Sequence, residues 1–248
     1  MSTLDVRALS KSFGGVRALE RVSFSVAAGE RLAMIGPNGA GKTTCFNLIN
    51  GQLRPDAGEI LFEERKLAGY APSERCRLGI GRTFQVAATF ASMTARENVQ
   101  VALLSNAAML KSIVASLSRE EEAMQLLEHV GMHQQADRPC SELAYGDLKR
   151  VELAVALAAR PRLLLMDEPT AGMAAAERHA LMNLVVEISR EKGISVLFTE
   201  HDMDIVFRHA DRVIVLAEGE LIAQGTPAEV RADARVREVY LGEDTTHA

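Results

Sequence analysis

The chain has 248 residues, 48% of them hydrophobic, which is enough for a substantial core in one large domain or two small ones. A net charge of −5, with basic residues spread along the chain, excludes a cationic surface for nucleic acid. No apolar run reaches the roughly 18 residues of a membrane span. No signal-peptide pattern begins the chain, and the cysteines form no C-x-x-C pair. We therefore expect a soluble intracellular protein.

Short strands are predicted over residues 4–28 and again after a turn at 54–58. Residues 1–30 and 58–70 are therefore expected to form an antiparallel patch attached to the core. Phe13 stands beside two glycines at the first turn. Such an aromatic residue either packs against its turn or offers a ring on which adenine stacks, and the local sequence favours neither.

Residues 36–44 match the motif G-x-x-x-x-G-K-[ST], between a predicted buried strand at 31–35 and an apolar segment at 45–49 that begins a helix. Glycines let successive backbone N–H groups converge on an anion, and the helix adds its positive end. Lys42 is suited to reach the β- and γ-phosphates, and the Thr43 hydroxyl is suited to bind Mg²⁺. The predicted phosphate-binding residues are Gly36, Pro37, Asn38, Gly39, Ala40, Gly41, Lys42, Thr43 and Thr44.

The character of the sequence changes between about residues 86 and 160. Ser73 is a predicted helix cap, and residues 79–85 read as a strand that ends at a glutamine. Nothing between residues 86 and 160 alternates with a period of two. Capping boxes at 94–97 and 118–121 predict two helix starts there. We expect an all-helical insertion in an α/β chain.

A buried parallel strand is predicted at 162–168, where four large apolar residues precede Asp167 and Glu168. Ligands of open α/β sheets gather at the carboxyl ends of such strands. Asp167 is suited to hold Mg²⁺, directly or through water, and Glu168 to orient and deprotonate an attacking water. The alternative is that two acids merely begin a surface loop. The next apolar strand, 194–201, ends at His201.

The last third of the chain continues the alternation of helices and strands. A helix is predicted over 174–190, a hairpin turn at 218–219 joins two strands, and a closing helix is predicted over 228–241. This order of elements is typical of an α/β protein.

In their order, these pieces resemble the ATP-binding subunit of ABC transporters over essentially the whole chain. The loop at 36–44 is similar to that family's Walker A motif, and 163–168 is similar to Walker B with the catalytic glutamate. Gln85 stands at the place of the Q-loop, His201 at the place of the switch histidine, and Phe13 at the place of the adenine-stacking aromatic residue. The residues at the place of the L-S-G-G-Q signature are Leu143, Ala144, Tyr145, Gly146 and Asp147.

The resemblance implies a P-loop NTPase (RecA-like) core with a small antiparallel β patch and an inserted α-helical subdomain. One nucleotide-binding domain would span residues 1–248, with its core at about 1–85 and 161–248 and its helical subdomain at about 86–160. A narrower resemblance, to the ATPases of branched-chain amino acid importers, rests on segments spread over the chain, at 81–85, 143–146, 171–173 and 239–243. Relatives in urea uptake and lipopolysaccharide export share parts of this set.

The resemblance also implies ATP and Mg²⁺ as cofactors. Thr43, Gln85 and Asp167 would hold the metal, Glu168 would act as the base, and His201 would contact the γ-phosphate. Two identical or paralogous ATP-binding subunits would sandwich two ATP molecules between Walker A and the opposing signature. Transmembrane permease subunits would hold the protein on the inner face of the cell membrane. A periplasmic or extracellular substrate-binding protein would act indirectly, and no nucleic acid would take part.

The sequence departs from the family pattern in the signature, which has Ala144 in place of serine and Asp147 in place of glutamine. Ala144 cannot donate a side-chain hydrogen bond to phosphate. Asp147 either repels the phosphates or caps its helix. The loop after Walker B also lacks the usual aspartate, since Ala174 stands at its last position.

Three other functions compete with transport. A GTPase or small-molecule kinase shares the phosphate loop but lacks the later motifs, and no N-K-x-D guanine motif is present. A soluble ABC-type ATPase of DNA repair or translation would carry a long coiled coil or a second nucleotide domain. A weakly hydrolysing regulatory protein stays open because of Asp147.

Overall fold

The computed structural model describes residues 2–83, 89–106 and 113–244, whose strands form two sheets. The strands are β1 (Ser2–Phe13), β2 (Val16–Ala27), β3 (Arg31–Ile35), β4 (Ala57–Phe62), β5 (Arg65–Lys66), β6 (Ile80–Thr83), β7 (Leu163–Asp167), β8 (Ser195–Thr199), β9 (Arg212–Ala217) and β10 (Glu220–Gly225). The α-helices are α1 (Lys42–Asn50), α2 (Pro72–Leu78), α3 (Ala95–Asn106), α4 (Ile113–His129), α5 (Tyr145–Leu157), α6 (Ala175–Lys192), α7 (Met203–His209), α8 (Pro227–Ala232) and α9 (Ala234–Asp244).

The smaller sheet is antiparallel, with the strand order β2-β1-β4-β5. β1 and β2 have 12 residues each, so the prediction of short strands over 4–28 is wrong in length. Their register shifts beside Ala8 and Arg21, whose φ values of 45° and 51° mark bulges. Each bulge breaks the period-two pattern, which is why the sequence shows only fragments of these strands.

The larger sheet has the strand order β10-β9-β3-β8-β7-β6, and only its edge pair β10–β9 is antiparallel. β3, β7 and β8 are buried along their whole length. Both faces of this sheet are covered by apolar side chains. α1 and the smaller sheet pack on one face, and α5, α6 and α7 pack on the other. Burial on both faces explains why these strands are continuous apolar runs in the sequence.

The segment 89–160 contains helices, and α3, α4 and α5 pack on one another. In the described part of this segment, β pairing is limited to one isolated bridge, Thr94–Pro139. The predicted capping box at 94–97 is confirmed: Glu97 N–H donates to Thr94 Oγ1 at 3.1 Å, and Thr94 N–H donates to Glu97 Oε2 at 2.8 Å. Among the described helices, none combines the length and apolar character needed to cross a bilayer.

The prediction of Ser73 as a helix cap is wrong. α2 begins at Pro72, so Ser73 lies inside the helix, and the N-cap residue is Ala71. The Glu74 carboxylate accepts a hydrogen bond from Ala71 N–H at 2.7 Å. Proline favours the first helical position because its φ is already helical and its missing N–H would have no partner there.

Two further helix boundaries differ from the predictions. The box at 118–121 lies inside α4, which begins at Ile113, so it marks no helix start. The closing helix predicted over 228–241 is two helices, α8 and α9. They are separated at Asp233, whose ψ of 126° is extended rather than helical.

Candidate functional site

Three neighbouring parallel strands end at the same edge of the larger sheet. β8 lies between β3 and β7, and Thr199 near its end pairs in register with Met34 and with Asp167. The glycine loop follows β3, Glu168 follows β7, and Glu200 with His201 follows β8. The fold therefore brings these segments together where open α/β sheets bind their ligands.

Two glycines of the loop stand where no side chain fits. A Cβ at Gly36 would lie 2.1 Å from the carbonyl oxygen of Leu216, and one at Gly41 would lie 2.4 Å from the carbonyl oxygen of Ala18. Gly41 also has a φ of 101°, which L side chains rarely adopt. The neighbouring backbone thus requires glycine at both ends of the loop.

The tip of the loop is a turn in which Ala40 N–H donates to the Pro37 carbonyl at 3.2 Å. Asn38 and Gly39 are exposed at this tip, whereas Ala40 is buried. Behind the loop, burial raises the pKa of the Cys45 thiol to about 12. The thiol is therefore uncharged at neutral pH and adds no negative charge beside the loop.

Lys42 begins α1 and is buried, and its side chain turns back along the glycine loop. Its Nζ donates to the carbonyl oxygens of Gly36 and Pro37 at 2.5 and 2.9 Å. Thr43 is exposed and Thr44 half-buried in the first helical turn. An ammonium group and the positive end of a helix on one loop suit a polyphosphate.

Asp167 is buried at the end of β7 and is oriented from two sides. Its Oδ1 accepts from Thr199 Oγ1 at 2.8 Å, and its Oδ2 lies 3.4 Å from Arg82 Nη2. Burial lowers the pKa of Arg82, and the nearby Asp167 carboxylate opposes this shift. The guanidinium and the hydroxyl together hold the carboxylate at the sheet edge.

Glu168 and His201 are in contact across the ends of β7 and β8. Glu168 Oε1 lies 2.8 Å from His201 Nε2. The backbone of Glu168 has a φ of 49°, an uncommon conformation for a residue with a side chain. Its N–H donates to the carbonyl and hydroxyl oxygens of Thr199, at 3.2 and 3.0 Å. The structure thus brings a carboxylate and an imidazole together, as general acid–base chemistry requires.

A second carboxylate, that of Glu200, is buried next to this pair. Its Oε1 accepts from Thr170 N–H at 2.9 Å and from Thr170 Oγ1 at 2.6 Å. Burial raises the pKa of Glu200, the hydrogen bonds from Thr170 oppose the shift, and the charge of Glu168 adds to it. This contact ties the loop that follows β7 to the segment that follows β8.

Phe13 ends β1, and 46% of its surface is exposed. Lys11 Nζ lies 5.5 Å from the ring centroid, and the same ammonium donates to Asp56 Oδ1 at 2.7 Å. The ring is too exposed to be held mainly by packing against its own turn. It is therefore accessible for stacking with a planar ligand.

The predicted signature lies at the start of α5. Leu143 is partly buried against the core, and Ala144 is the N-cap residue, without a side-chain hydrogen bond to the helix. Asp147 is half-buried in the first turn, where the positive end of the helix favours an acid. Asp147 is therefore not the cap residue, because Ala144 occupies that position.

The other two signature residues pack on the loop that follows Glu168. A Cβ at Gly172 would lie 3.4 Å from Tyr145 Cε1, and a Cβ at Gly146 would lie 3.3 Å from Glu177 Oε1. Tyr145 is 44% exposed, with Lys149 Nζ 5.5 Å from its ring centroid. These contacts connect the signature to α6 and the end of β7 rather than to the glycine loop of the same chain.

Gln85, predicted as a metal ligand and catalytic residue, lies outside the described residues. Four residues that shape the site received no role from the sequence: Arg82, Thr170, Thr199 and Glu200. The sequence did contain a signal for Glu200, because this acid stands directly between an apolar strand and His201. Acidic residues are seldom buried unless they have partners, so an acid in this position suggests a specific role. The partners of the other three are set by the fold.

A glycine loop that leads from a buried parallel strand into a helix, beside a strand ending in two acids, defines a P-loop protein that binds nucleoside triphosphates. A family profile described as ABC transporter matches residues 19–171. The chain therefore belongs to the ABC transporter family, as one of its ATP-binding cassettes. A second profile, described as branched-chain amino acid ATP-binding cassette transporter, matches residues 220–246.

Relatives and solved structures agree with this assignment. The chain is 38% identical to the high-affinity branched-chain amino acid transport ATP-binding protein LivG of Salmonella typhimurium, over 97% of this chain and 98% of LivG. It is also 38% identical to the corresponding protein BraF of Pseudomonas aeruginosa, with the same coverage. The ADP conformation of MJ1267, an ATP-binding cassette of an ABC transporter, matches with a TM-score of 0.87 and 35% identity, over 98% of this chain and 99% of MJ1267. The predicted family and fold class are confirmed.

Proposed function

We propose that this chain is the ATP-hydrolysing subunit of an ABC importer for branched-chain amino acids or a similar small polar solute. One observation supports the assignment of ATP hydrolysis to this chain. Glu168 and His201 lie 2.8 Å apart at the sheet edge from which the glycine loop also emerges. The cargo class rests on the names of LivG and BraF and on the profile over residues 220–246.

In the proposed reaction, the residues of the chain mainly place the reactants and neutralise charge. Lys42 and the loop N–H groups bind the phosphates, and Phe13 stacks on the adenine. Glu168 takes a proton from the attacking water, a role worth about 10² to 10⁴ in rate. His201 orients the Glu168 carboxylate and contacts the terminal phosphate.

Mg²⁺ neutralises phosphate charge when it is bound. The residues present fit this ion, because an exposed hydroxyl on Thr43 and a carboxylate on Asp167 are the oxygen ligands it prefers. Gln85 is proposed as a further ligand. Thr199 and Arg82 hold the Asp167 carboxylate in the orientation in which it would bind the metal ion.

We propose that the chain is one cassette, with its core at about 1–85 and 161–248 and a helical subdomain at about 86–160. Two cassettes, identical or paralogous, would bind ATP between the glycine loop of one and the signature of the other. Within their own chain, Tyr145 and Gly146 lie beside Gly172 and Glu177 rather than beside the glycine loop. This position supports an arrangement in which the signature meets the glycine loop of the other cassette. The stretch from about 86 to 93, at the start of this insertion, would receive permease subunits on the inner face of the cell membrane.

The test is to purify the full chain with its permease subunits and reconstitute them in vesicles with the substrate-binding protein. We expect ATP hydrolysis that rises when the binding protein carries leucine, isoleucine or valine, together with uptake of that amino acid. Stimulation by urea alone, or by a lipid-linked saccharide without uptake, would replace the amino-acid assignment with one of the related systems.

A weakly hydrolysing regulatory ABC protein is the second candidate. Ala144 in the signature has no hydroxyl for a phosphate, and Asp147 adds a negative charge in the first turn of α5. Turnover of the wild-type complex no faster than that of its Glu168→Gln variant would favour this regulatory function over transport.

A further inference from the structure

Glu200 has a buried carboxylate that takes no part in the reaction proposed above. It is 4% exposed, and its Oε1 accepts two hydrogen bonds from one residue, Thr170, at 2.9 and 2.6 Å. The Glu200 side chain therefore serves as the acceptor for both donors of Thr170.

The loop that Glu200 contacts begins with a strained residue. Glu168 has a φ of 49°, and a residue with a side chain keeps such a conformation only when its surroundings hold it there. On one side, Glu168 N–H is held by Thr199 at the end of β8. On the other side, two residues along the chain, Thr170 is held by Glu200. Both anchors of Glu168 therefore belong to the segment that carries His201.

The two reacting side chains are thus connected through Glu200 by short stretches of chain and by the hydrogen bonds between Glu200 and Thr170. His201 is its direct neighbour in the chain, and Glu168 lies two residues before Thr170. We propose that Glu200 is a positioning residue for ATP hydrolysis, which locks the loop of Glu168 to the segment of His201 and holds these two side chains within hydrogen-bonding distance. This inference rests on the proposed function of the chain as an ATPase.

The first test measures steady-state ATP hydrolysis and nucleotide affinity of the full-length chain. Glu200→Gln replaces a charged acceptor with a neutral amide, and Thr170→Val removes the hydroxyl donor while keeping the side-chain shape. We expect kcat to fall about tenfold or more in both variants, as for a misplaced reacting group. KM and the affinity for ADP should stay within about twofold of wild type, and Thr170→Ser should restore kcat.

Ser189→Ala is the matched control for Thr170→Val. Ser189 Oγ is also buried and donates to the carbonyl of Ile194 at 2.7 Å, before the opposite end of β8. We expect this control to lower the melting temperature about as much as Thr170→Val while kcat is unchanged. Equal kcat in wild type, Glu200→Gln and Thr170→Val, or a loss of kcat in Ser189→Ala as large as theirs, would overturn the proposal.

The second test does not depend on turnover. Crystal structures of the wild-type chain and of Glu200→Gln compare the distance between Glu168 Oε1 and His201 Nε2. We expect the variant to lose this hydrogen bond, and an unchanged contact would overturn the positioning role. A wild-type protein that hydrolyses no ATP would refute the proposed function alone, because the crystallographic comparison still decides what Glu200 does.

Discussion

Arg82 Nη2 lies 3.4 Å from Asp167 Oδ2, and only 9% and 7% of these two side chains are exposed. The same guanidinium donates through Nη1 to Asn47 Oδ1 on α1 at 2.8 Å. One cation therefore links the end of β6, the helix after the glycine loop, and the acid at the end of β7. Removing the Arg82 guanidinium would therefore remove contacts that connect β6, α1 and the end of β7.

Arg82→Met should destabilise the protein by about 3 kcal/mol, because it leaves the carboxylate of Asp167 buried without its cation. Urea denaturation measures this change in the free energy of unfolding. Arg7→Met is the control, since the ion pair between Arg7 and Glu59 is on the surface and should contribute little. Equal stability of the two variants would contradict this account of the buried pair.

Gly36→Ala should abolish ATP binding, because its Cβ would lie 2.1 Å from the Leu216 carbonyl oxygen and the loop would have to move. Calorimetry with ATP and Mg²⁺ measures the affinity. Gly193→Ala is the matched control: its φ of 65° makes a side chain cost about 1 kcal/mol, but nothing lies within 4 Å of the added Cβ. The control should bind ATP normally, and normal binding by Gly36→Ala would show that the loop tolerates the clash.

Arg75→Met should destabilise the protein by about 3 kcal/mol, the cost of leaving buried carbonyl groups without donors. The buried guanidinium donates to four backbone carbonyls, those of Leu48, Ile49, Leu67 and Tyr70, at 2.7 to 3.1 Å. Two of these carbonyls belong to the last turn of α1. Arg77→Met, on the exposed face of the same helix, is the control in thermal or urea unfolding and should change stability little.

If Arg75→Met and Arg77→Met unfold at the same urea concentration, the contacts of Arg75 with the end of α1 do not stabilise the fold.

His209 should make the protein less stable as the pH falls. Burial is the main cause that lowers the pKa of His209 below 6.5, and the nearby His179 and Arg208 add to it, while Asp204 opposes it. The unfolded state then binds more protons than the folded state as the pH falls through about 6.5, so folding stability decreases. Unfolding free energies between about pH 7.5 and 5 should fall more steeply for wild type than for His209→Gln. Parallel curves for the two proteins would contradict this prediction.

The glycine loop and the acids after β7 could be predicted because their signals are local. Gly36, Gly41 and Lys42 are close in sequence, and Asp167 directly follows an apolar run. A few adjacent residues determine each of these features, so they can be recognised without knowing the tertiary contacts.

The contacts that orient the site could not be predicted, because they join residues far apart in the chain. Thr170 and Glu200 are separated by 30 residues, and Arg82 and Asp167 by 85. No periodicity indicates which strand ends become neighbours, and the order of β6, β7 and β8 in the sheet decides these pairs. The bulges at Ala8 and Arg21 similarly depend on pairing between strands.

ATP turnover of the Glu168→Gln variant tests the central claim, that Glu168 beside His201 acts as the base for ATP hydrolysis. The account predicts a fall in kcat of about 10² to 10⁴, with ATP still bound and an ATP-dependent dimer detected by light scattering. A variant that hydrolyses ATP at the wild-type rate would contradict it.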